Sequence, residues 1–512
     1  MTLGIDLTLW TIWLACTGDG TAVGDSGVTG STDIETAEPA DTASSTDSAL
    51  PSDTHDTSRP TDTADTDTPE PASETRELLR AAVRFYGAQR CGDARNWIIA
   101  DHALGGVCHT QDGPALGAGV DLGGGWHDAG DHIKPTLTIA YSTYVMLKAL
   151  DVWSESFDDV DDGTYSGAAN GLPDVLDELI VALDYLAKVQ IDGELVVMVG
   201  GAEDHNVFVT SPYQSTLGTQ QGGGERRITT GGKADVAGIL AAALALGSEL
   251  VRPHDSDRAD AWQVLAESAY AWGQSHPGSS SADFYNGSDP DANMLAGAAE
   301  LYRLTGEASY RTAALSHDTR VGKHYWVPLW DNPSDYARHT LVALGETQPL
   351  ANWTHAVESY LDAVSSQPHV TGLSWFYDWG TLPVAMHVAA SAALHHQVSG
   401  ETRYAEFARG QLAWIMGDNE YGRSFVVGVG TDPPRYPHHA NGYGHDDRQT
   451  DWELEPVYTV TGALVGGPTA ARIEGFPAGY EDDLEDYVGN EVTLDYNAGL
   501  VAAAAFAVSQ EP

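Results

Sequence analysis

Residues 124–135, GGWHDAGDHIKP, place two aspartates, two histidines and a tryptophan on a glycine-rich turn. Asp128 and Asp131 stand three positions apart, so both carboxylates point the same way if the segment opens a helix. Two acids placed in this way can hold a water molecule and remove its proton. Alternatively, one aspartate only caps the helix that begins in TLTIAYSTYVMLKAL, because Asp is a preferred N-cap residue.

A second acidic segment, YEDDLEDYVGNEVTLDYNAG, occupies residues 480–499. Its central acids are Asp482, Asp483, Asp486, Glu491 and Asp495, and they alternate with Tyr480, Tyr487 and Tyr496. Aromatic faces stack on sugar rings, and a carboxyl whose pKa is raised by apolar surroundings can protonate a departing glycosidic oxygen. The alternative is a solvated acidic loop, since charge runs are usually solvated.

Helical periodicity dominates the chain from Glu77 onward, and few stretches alternate as strands do. Several helices are apolar around most of their circumference, which indicates packing on both sides. Segments 298–314 and 391–408 repeat a helix, a glycine and a second helix, with Gly306 and Gly400 as expected left-handed helix ends. The pattern predicts an all-α fold of helix hairpins in a ring or solenoid. Long loops at 105–135, 199–232, 280–292 and 417–490 are expected to carry the function.

The amino-terminal residues differ in composition from the rest of the chain. The apolar run LTLWTIWLAC predicts an export signal over residues 1–16. It resembles a bacterial lipoprotein signal, in which Cys16 becomes the lipidated first residue; the alternative is a plain secretory signal. Residues 17–76 are rich in Thr, Asp and Ser and predict a disordered, extended spacer. We therefore expect an exported protein, secreted or on the surface of a bacterium, whose folded domain spans residues 77–512.

The charge balance excludes several partners. The 512 residues hold 74 acids and 25 bases, a formal net charge of −49. Nucleic acid and anionic membranes both need basic patches, so neither is an expected partner, and membrane contact is expected only through a lipid on Cys16. A neutral polymer is compatible with this charge. We also expect the protein to be a monomer.

Three segments together resemble the motifs of glycoside hydrolase family 9: GGWHDAGDH, SFVVGVGTDPPRYPHH and YEDDLEDYVGNEVTLDYNAG. They follow the family's order and approximate spacing, and weaker similarity extends over residues 77–510. The resemblance implies an (α/α)6 barrel of six inner and six outer helices. It also implies an endo-β-1,4-glucanase of cellulase type that acts on cellulose or a related β-glucan.

The resemblance also implies roles for individual residues. Asp131 becomes the general base that activates water, Asp128 helps to hold that water, and Glu491 becomes the general acid. Asp482 matches the supporting acid and His438 the substrate-contacting histidine. An inverting mechanism requires the acid and the base to lie about 6.5 to 9.5 Å apart.

Some positions depart from the family pattern. Ala440 stands where an arginine usually follows Pro-His-His, Asp432 replaces an asparagine or lysine, and Leu484 replaces an arginine. Each change removes a donor to a sugar hydroxyl, so we expect altered subsite preference. Two alternatives stay open: an exo-acting cello-oligosaccharide hydrolase, and a non-catalytic glucan-binding protein on the same scaffold.

Aromatic residues outside the catalytic set are candidates for substrate contact. Trp330 and Trp375 lie in loops at helix ends, and Tyr496 lies within the last motif. Such side chains line glucosyl subsites or serve as partly buried packing residues.

Two cysteines remain once Cys16 is assigned to the signal. For Cys91 and Cys108 in an exported protein, the spacing alone favours a disulfide. His109 follows Cys108 and His127 precedes Asp128, which completes a Cys2His2 set suited to structural zinc. The resemblance extends to a branch of the family, often preceded by an immunoglobulin-like domain, that holds zinc at these positions, and it therefore implies Zn2+. Members of that branch often bind Ca2+ as well; Asp-rich loops such as 287–293 could hold it, without assigned ligands.

Overall fold

The computed structural model describes residues 72–286, 288–323, 327–447, 451–473 and 475–512. The predicted export signal, Cys16 and residues 17–71 of the predicted spacer lie outside these ranges. The first helix begins at Glu74, and the hydroxyl of Ser73 caps it by accepting a hydrogen bond from the Arg76 amide. This start lies three residues before Glu77, because the Ser cap and the acidic first turn favour helix from that point.

About half of the described chain is helical. In chain order the α-helices are α1 (Glu74–Gln89), α2 (Thr136–Val152), α3 (Asp174–Leu186), α4 (Ala202–His205), α5 (Ser211–Gln214), α6 (Ala234–Val251), α7 (Ser256–Ser275), α8 (Pro290–Thr305), α9 (Ala308–Val321), α10 (Ser334–Ala343), α11 (Gln348–Asp362), α12 (Thr381–Ser399), α13 (Thr402–Met416), α14 (Ala440–Tyr443), α15 (Tyr487–Asn490) and α16 (Leu494–Ser509). Single 3-10 turns occupy Pro114–Leu116, Ser154–Ser156 and Thr219–Gln221.

The long helices form two concentric rings. The inner ring runs α2, α6, α8, α10, α12 and α16 in packing order, and α16 packs back on α2 to close it. The outer helices α3, α7, α9, α11, α13 and α1 pack against the inner ones. Nearly every residue of α2, α6 and α12 is buried, as their apolar circumference predicts. The predicted all-α fold, an (α/α)6 barrel, is confirmed.

The two related helix hairpins are α8–α9 and α12–α13. Gly306 and Gly400 end the first helix of each, both with φ of 71°. This left-handed conformation favours glycine, and the amide of each glycine closes the last turn of its helix. The repeat read from the sequence is therefore a repeat of structure. Among the described helices, α6 is apolar and long enough to cross a membrane, but it is buried within the inner ring.

Four short strands pair between the helices. They are β1 (Lys134–Pro135), β2 (Gln190–Ile191), β3 (Glu194–Val199) and β4 (Ile228–Thr230). Strand β3 pairs antiparallel with the other three. Because β1 follows the turn at 124–133 and β3 leads into α4, this sheet holds the turn beside α4.

Candidate active site

The turn that carries Asp128 and Asp131 is a bend rather than a helix. Helix α2 begins only at Thr136, with Pro135 at the N-cap and no side-chain cap. The alternative that one of the two aspartates caps this helix is therefore wrong. Pro135 explains the late start, because proline restricts the residue before it to extended conformations.

Main-chain hydrogen bonds join the three sequence motifs. The Leu494 amide donates to the Asp128 carbonyl (2.9 Å), and the Ala440 amide donates to the Gly130 carbonyl (2.8 Å). The His438 amide donates to the Asn490 carbonyl (2.8 Å). A Cβ atom added at Gly130 would lie 2.1 Å from the His438 carbonyl oxygen, so only glycine allows this approach. Segments that are hundreds of residues apart thus form one site.

Asp131 is paired with a histidine, His205, that was not predicted from the sequence. Nδ1 of His205, the last residue of α4, lies 2.7 Å from Oδ2 of Asp131. The Asp131 side chain is 11% exposed and that of His205 is 20% exposed. Burial alone would raise the pKa of Asp131, but the hydrogen bond and charge of His205 outweigh it and hold the pKa below its ordinary value. Asp131 is thus ionised at neutral pH.

Glu491 has the opposite electrostatic character. It follows α15 directly and is 8% exposed. Burial, followed by the negative charge of Asp131, raises the pKa of Glu491 to about 8. At neutral pH Glu491 therefore holds a proton while Asp131 has lost its own. Two carboxyl groups whose pKa values are pushed apart in this way are suited to act as an acid and a base.

Asp128 is fully buried and both of its carboxylate oxygens are hydrogen-bonded. The hydroxyl of Thr138 donates to one and the phenol of Tyr285 to the other. Burial raises the pKa of Asp128 to about 8 despite these two bonds. Because Asp128 is fully buried, a water can reach its carboxylate only if Thr138 or Tyr285 moves aside. Tyr285 has a φ of 56°, a backbone conformation rare outside glycine, so its ring is placed here at a conformational cost.

A third buried carboxyl lies close to this group. One oxygen of Asp495 accepts a hydrogen bond from the Thr493 hydroxyl, and the other has no partner among the described residues. Burial raises the pKa of Asp495 to about 6. Its negative charge contributes to the raised pKa values of Asp128 and Glu491.

Asp482 contacts the loop that leads to His438. Its carboxylate accepts hydrogen bonds from the amides of Arg435 and Tyr436, at 2.9 and 3.0 Å, and from the Arg423 guanidinium at 3.2 Å. No described hydrogen bond joins it to Asp128, Asp131 or Glu491. The hydrogen bonds of Asp482 therefore hold the loop that precedes His438.

His438 lies in an aromatic cluster. Its Nδ1 donates to the Leu484 carbonyl (2.7 Å), and burial lowers its pKa to about 4. The ring is therefore neutral, and its Nε2 is an acceptor. Phe208 lies 4.7 Å from the His438 ring and Trp452 lies 5.8 Å away in a stacked orientation. Neither aromatic was predicted.

The other predicted contact residues divide into two groups. Trp330 packs edge to face on Tyr285 at 5.1 Å, which places it next to Asp128. Tyr496 is 8% exposed, and the nearby Glu491 charge contributes to its raised pKa after burial. Trp375 is partly exposed, but its indole nitrogen is buried and has no partner among the described residues. No described contact joins Trp375 to the carboxyl groups.

The departures from the family pattern have distinct structural positions. Ala440 is fully buried at the start of α14, and Leu484 is buried with its carbonyl oriented toward His438. Asp432 is exposed in a loop with φ of 45°. The main chain at Ala440 and Leu484 thus still contributes to the site, although neither side chain can donate to a sugar.

The four predicted metal ligands form one buried cluster. The ligand atoms of Cys91, Cys108, His109 and His127 lie within 4.8 Å of one another. Both cysteines are free thiols, and the sulfur atoms are 4.0 Å apart. The disulfide alternative is therefore absent from this structure. Burial lowers the pKa of His127 to about 3, so its imidazole is neutral as a ligand must be.

The spacing of these atoms matches a tetrahedral zinc site. Zinc bonds of about 2.3 Å to sulfur and about 2.0–2.1 Å to nitrogen place two sulfurs about 3.8 Å apart and two nitrogens about 3.3 Å apart. The observed sulfur pair is at 4.0 Å and the His109–His127 nitrogen pair at 3.4 Å. The outward nitrogens His109 Nε2 and His127 Nδ1 are buried and have no hydrogen-bond partner among the described residues. The donor set fits zinc.

The acidic loop at 287–293 has other roles. Asp289 caps α8 by accepting hydrogen bonds from the amides of Asp291 and Ala292. The Asp291 carboxylate binds His317 and Arg320, both at 2.7 Å. Gly287 lies outside the described residues. The acids of this loop are engaged by the protein itself.

Comparison with known proteins places the chain in a family. The family model described as "Glycosyl hydrolase family 9" matches residues 76–504. Endoglucanase A of Bacillus pumilus is 30% identical over 456 residues, which cover 83% of this chain and 64% of that protein. Endoglucanase 4 of Bacillus sp. is 29% identical, with 84% and 68% covered. The chain thus spans about two thirds of the length of these relatives.

Solved structures give the same answer. The cellulase Cel9M of C. cellulolyticum, in complex with cellobiose, superposes with a TM-score of 0.74 at 26% identity, over 85% of this chain and 99% of that one. The endoglucanase of the termite Nasutitermes takasagoensis gives 0.72 at 27% identity, with 86% and 99% covered. The chain belongs to glycosyl hydrolase family 9.

Proposed function

We propose that this protein is an inverting endo-β-1,4-glucanase that hydrolyses cellulose or a related β-glucan. The observation that carries the proposal is the pairing of an ionised Asp131 with a protonated Glu491, whose raised pKa reflects in part the charge of Asp131. Both side chains retain some exposure, whereas Asp128 has none. An acid and a base held in these states can cleave a glycosidic bond by single displacement.

In this mechanism Asp131 removes a proton from a water molecule as the water attacks the anomeric carbon. Glu491 gives its proton to the departing glycosidic oxygen, and the configuration at the anomeric carbon inverts. Afterwards Asp131 is protonated and Glu491 is ionised, and exchange with solvent restores both. His205 holds the base in place, and Asp128 fixes the turn through Thr138 and Tyr285. Asp128 also contacts the water if Tyr285 releases its oxygen.

The substrate class rests on the relatives and on the side chains around the carboxyl groups. The relatives are endoglucanases by name, and one solved structure holds cellobiose. Phe208 and Trp452 pack against His438, Trp330 packs against Tyr285, and Tyr496 lies near Glu491. Aromatic faces of this kind pack against pyranose rings. The net charge of −49 suits a neutral polymer.

The test is to incubate the purified protein with carboxymethyl cellulose, lichenan, xylan and cello-oligosaccharides. Product lengths and anomeric configuration are read by chromatography and NMR. We expect a rapid fall in viscosity of carboxymethyl cellulose and initial products in the α configuration. Products of one short length without a fall in viscosity would favour the exo-acting alternative. Retained configuration would contradict inversion, and binding without release of sugar would favour the non-catalytic alternative.

We also assign Zn2+ to Cys91, Cys108, His109 and His127. Bound zinc would tie the end of α1 and the 108–109 loop to the catalytic turn, a structural role. Elemental analysis should find about one zinc per chain, as one closed four-ligand site requires. No calcium ligands are assigned.

Export, with a lipid on Cys16, is likewise a proposal from residues 1–16. It is tested by the mass of the mature amino terminus after expression in a bacterial host. A mature chain that begins at Cys16 with a lipid-sized mass increment supports it. An intact Met1 in the mature protein contradicts it.

A further inference from the structure

Arg226 is a buried arginine, and no described contact joins it to the side chains of Asp131, Glu491 or Asp128. It is 1% exposed. Its Nε and Nη2 donate to the two oxygens of Asp112 at 2.8 and 2.7 Å. Its Nη1 donates to the His132 carbonyl at 2.6 Å and to the Asp204 carboxylate at 3.1 Å. One guanidinium thus joins three separate segments.

Two of these partners adjoin the residues of the base pair. His132 directly follows Asp131, and Asp204 directly precedes His205 on α4. The 2.7 Å hydrogen bond from His205 to Asp131 therefore spans two backbone segments that Arg226 holds from behind. Because α4 is only four residues long, its own hydrogen bonds give it little independent stability.

We propose that Arg226 is a positioning residue that fixes His205 against Asp131, on the basis of the function proposed above. The simpler role is charge neutralisation of buried acids. Lys134 already lies 2.8 Å from the Asp112 carboxylate, so Asp112 has a cation without Arg226. Neutralisation accounts for the 3.1 Å pair with Asp204 but gives no reason for the bond to the His132 carbonyl, which carries no net charge.

The geometry requires arginine rather than another cation. The planar guanidinium binds Asp112 along one edge and presents Nη1 to His132 and Asp204 from the other. A lysine ammonium is a point charge that cannot reach all three in fixed directions. Arg226→Lys therefore keeps the charge and removes the directed contacts, which separates positioning from neutralisation.

A matched control exists in the same barrel. Arg338 on α10 is also fully buried and donates to Asp318 at 2.8 Å and to the Gly322 carbonyl at 2.6 Å. No described contact joins it to Asp131 or His205. Arg338→Lys should lower the melting temperature in the same way as Arg226→Lys without changing the chemistry.

The kinetic test compares wild type, Arg226→Lys and Arg338→Lys on a soluble cello-oligosaccharide. We expect Arg226→Lys to lower kcat by about ten- to a hundredfold, since small misplacement of a catalytic group has effects of this size. KM should stay within about threefold of wild type, because Arg226 does not reach substrate. Arg338→Lys should keep the wild-type kcat.

The pH dependence of kcat/KM gives a second test, because a loss of stability alone does not change it. The ionisable groups that influence or respond to the charge of Asp131 are His205, His132, Asp128, Glu491, Asp204, His438 and His439. Of these, His205 makes the hydrogen bond that most lowers the pKa of Asp131. When His205 is displaced, the acidic limb of kcat/KM should move to higher pH in Arg226→Lys and stay in place in Arg338→Lys.

A double-mutant cycle with His205→Ala decides whether Arg226 acts through His205. If it does, Arg226→Lys adds little further loss of kcat to His205→Ala. Independent, multiplicative losses would overturn the proposal. Loss of bound metal from Arg226→Lys would also overturn it, because the effect would then pass through the loop of Asp112 and His109.

The proposal and the proposed function fail in different ways. A wild-type protein that hydrolyses no glucan would contradict the proposed function. If wild type is active and Arg226→Lys has the same kcat and pH profile as Arg338→Lys, only the proposed role of Arg226 is contradicted. A crystal structure of Arg226→Lys answers the question without turnover: we expect the His205–Asp131 distance to exceed 3.5 Å, and an unchanged 2.7 Å bond would overturn the proposal.

Discussion

His205, the last residue of α4, donates a 2.7 Å hydrogen bond to Asp131, which lies in the turn before α2. Strand β1 follows the turn of Asp131 and pairs with β3, which leads to α4 and His205. This pairing keeps Asp131 ionised, while burial and the charge of Asp131 keep Glu491 protonated. The surroundings of the two carboxyl groups therefore set the difference between their pKa values.

Asp131→Asn and Glu491→Gln should each lower kcat on cello-oligosaccharides by about 10²- to 10⁴-fold, the usual contribution of a general acid or base. Asp483→Asn is the matched control, because Asp483 is an exposed acid of the same segment whose side chain, among the described residues, accepts a hydrogen bond from the Glu485 amide alone. It should keep wild-type kcat. Equal rates for the three variants and wild type would contradict the assignment.

The alkaline limb of the pH profile should report Glu491. We expect kcat/KM to fall above a pH of about 8, because Glu491 then loses the proton that it must donate. The charge of Asp495 helps to raise this pKa. Asp495→Asn should therefore move the alkaline limb to lower pH, and a limb that stays in place would exclude Asp495 as an influence.

Stability should depend on pH through the same carboxyl. The pKa of Glu491 is about 8 when folded and ordinarily 4.5, so the folded state binds the proton more tightly. Its stabilising effect is complete below pH 4.5 and is lost as pH rises toward and through 8. Glu491→Gln removes this dependence. The melting temperature of the variant relative to wild type should therefore increase from pH 5 to pH 9, and a constant difference would contradict the raised pKa.

Metal removal should destabilise the protein. Cys108→Ser deletes one of four ligands, so bound zinc should fall from about one per chain to near zero, with a lower melting temperature. Activity should fall as well, because His127 adjoins Asp128. Zinc added back should restore chelator-treated wild type but not the variant. An unchanged melting temperature in metal-free wild type with a Cys91–Cys108 disulfide would exclude a metal role.

The long helices were predictable because their apolar patterns are strong, and Gly306 and Gly400 mark hairpin ends by a conformation that favours glycine. The catalytic carboxyl groups and the metal ligands could be predicted from the sequence because they lie in motifs of unusual composition. His205 and Tyr285 carried no such signal. Their positions depend on strands of two to six residues and on a strained loop backbone, which have no periodicity to detect.

The two helices that close the inner ring also bring the general acid and the general base together. Helix α16 packs against α2 and completes the ring. Glu491 lies immediately before α16, and Asp131 lies just before α2. Any fluctuation that opens the seam between these two helices draws the proton donor away from the proton acceptor. On heating, activity should therefore be lost at a lower temperature than helical structure, as activity and circular dichroism measured over the same temperature range will show.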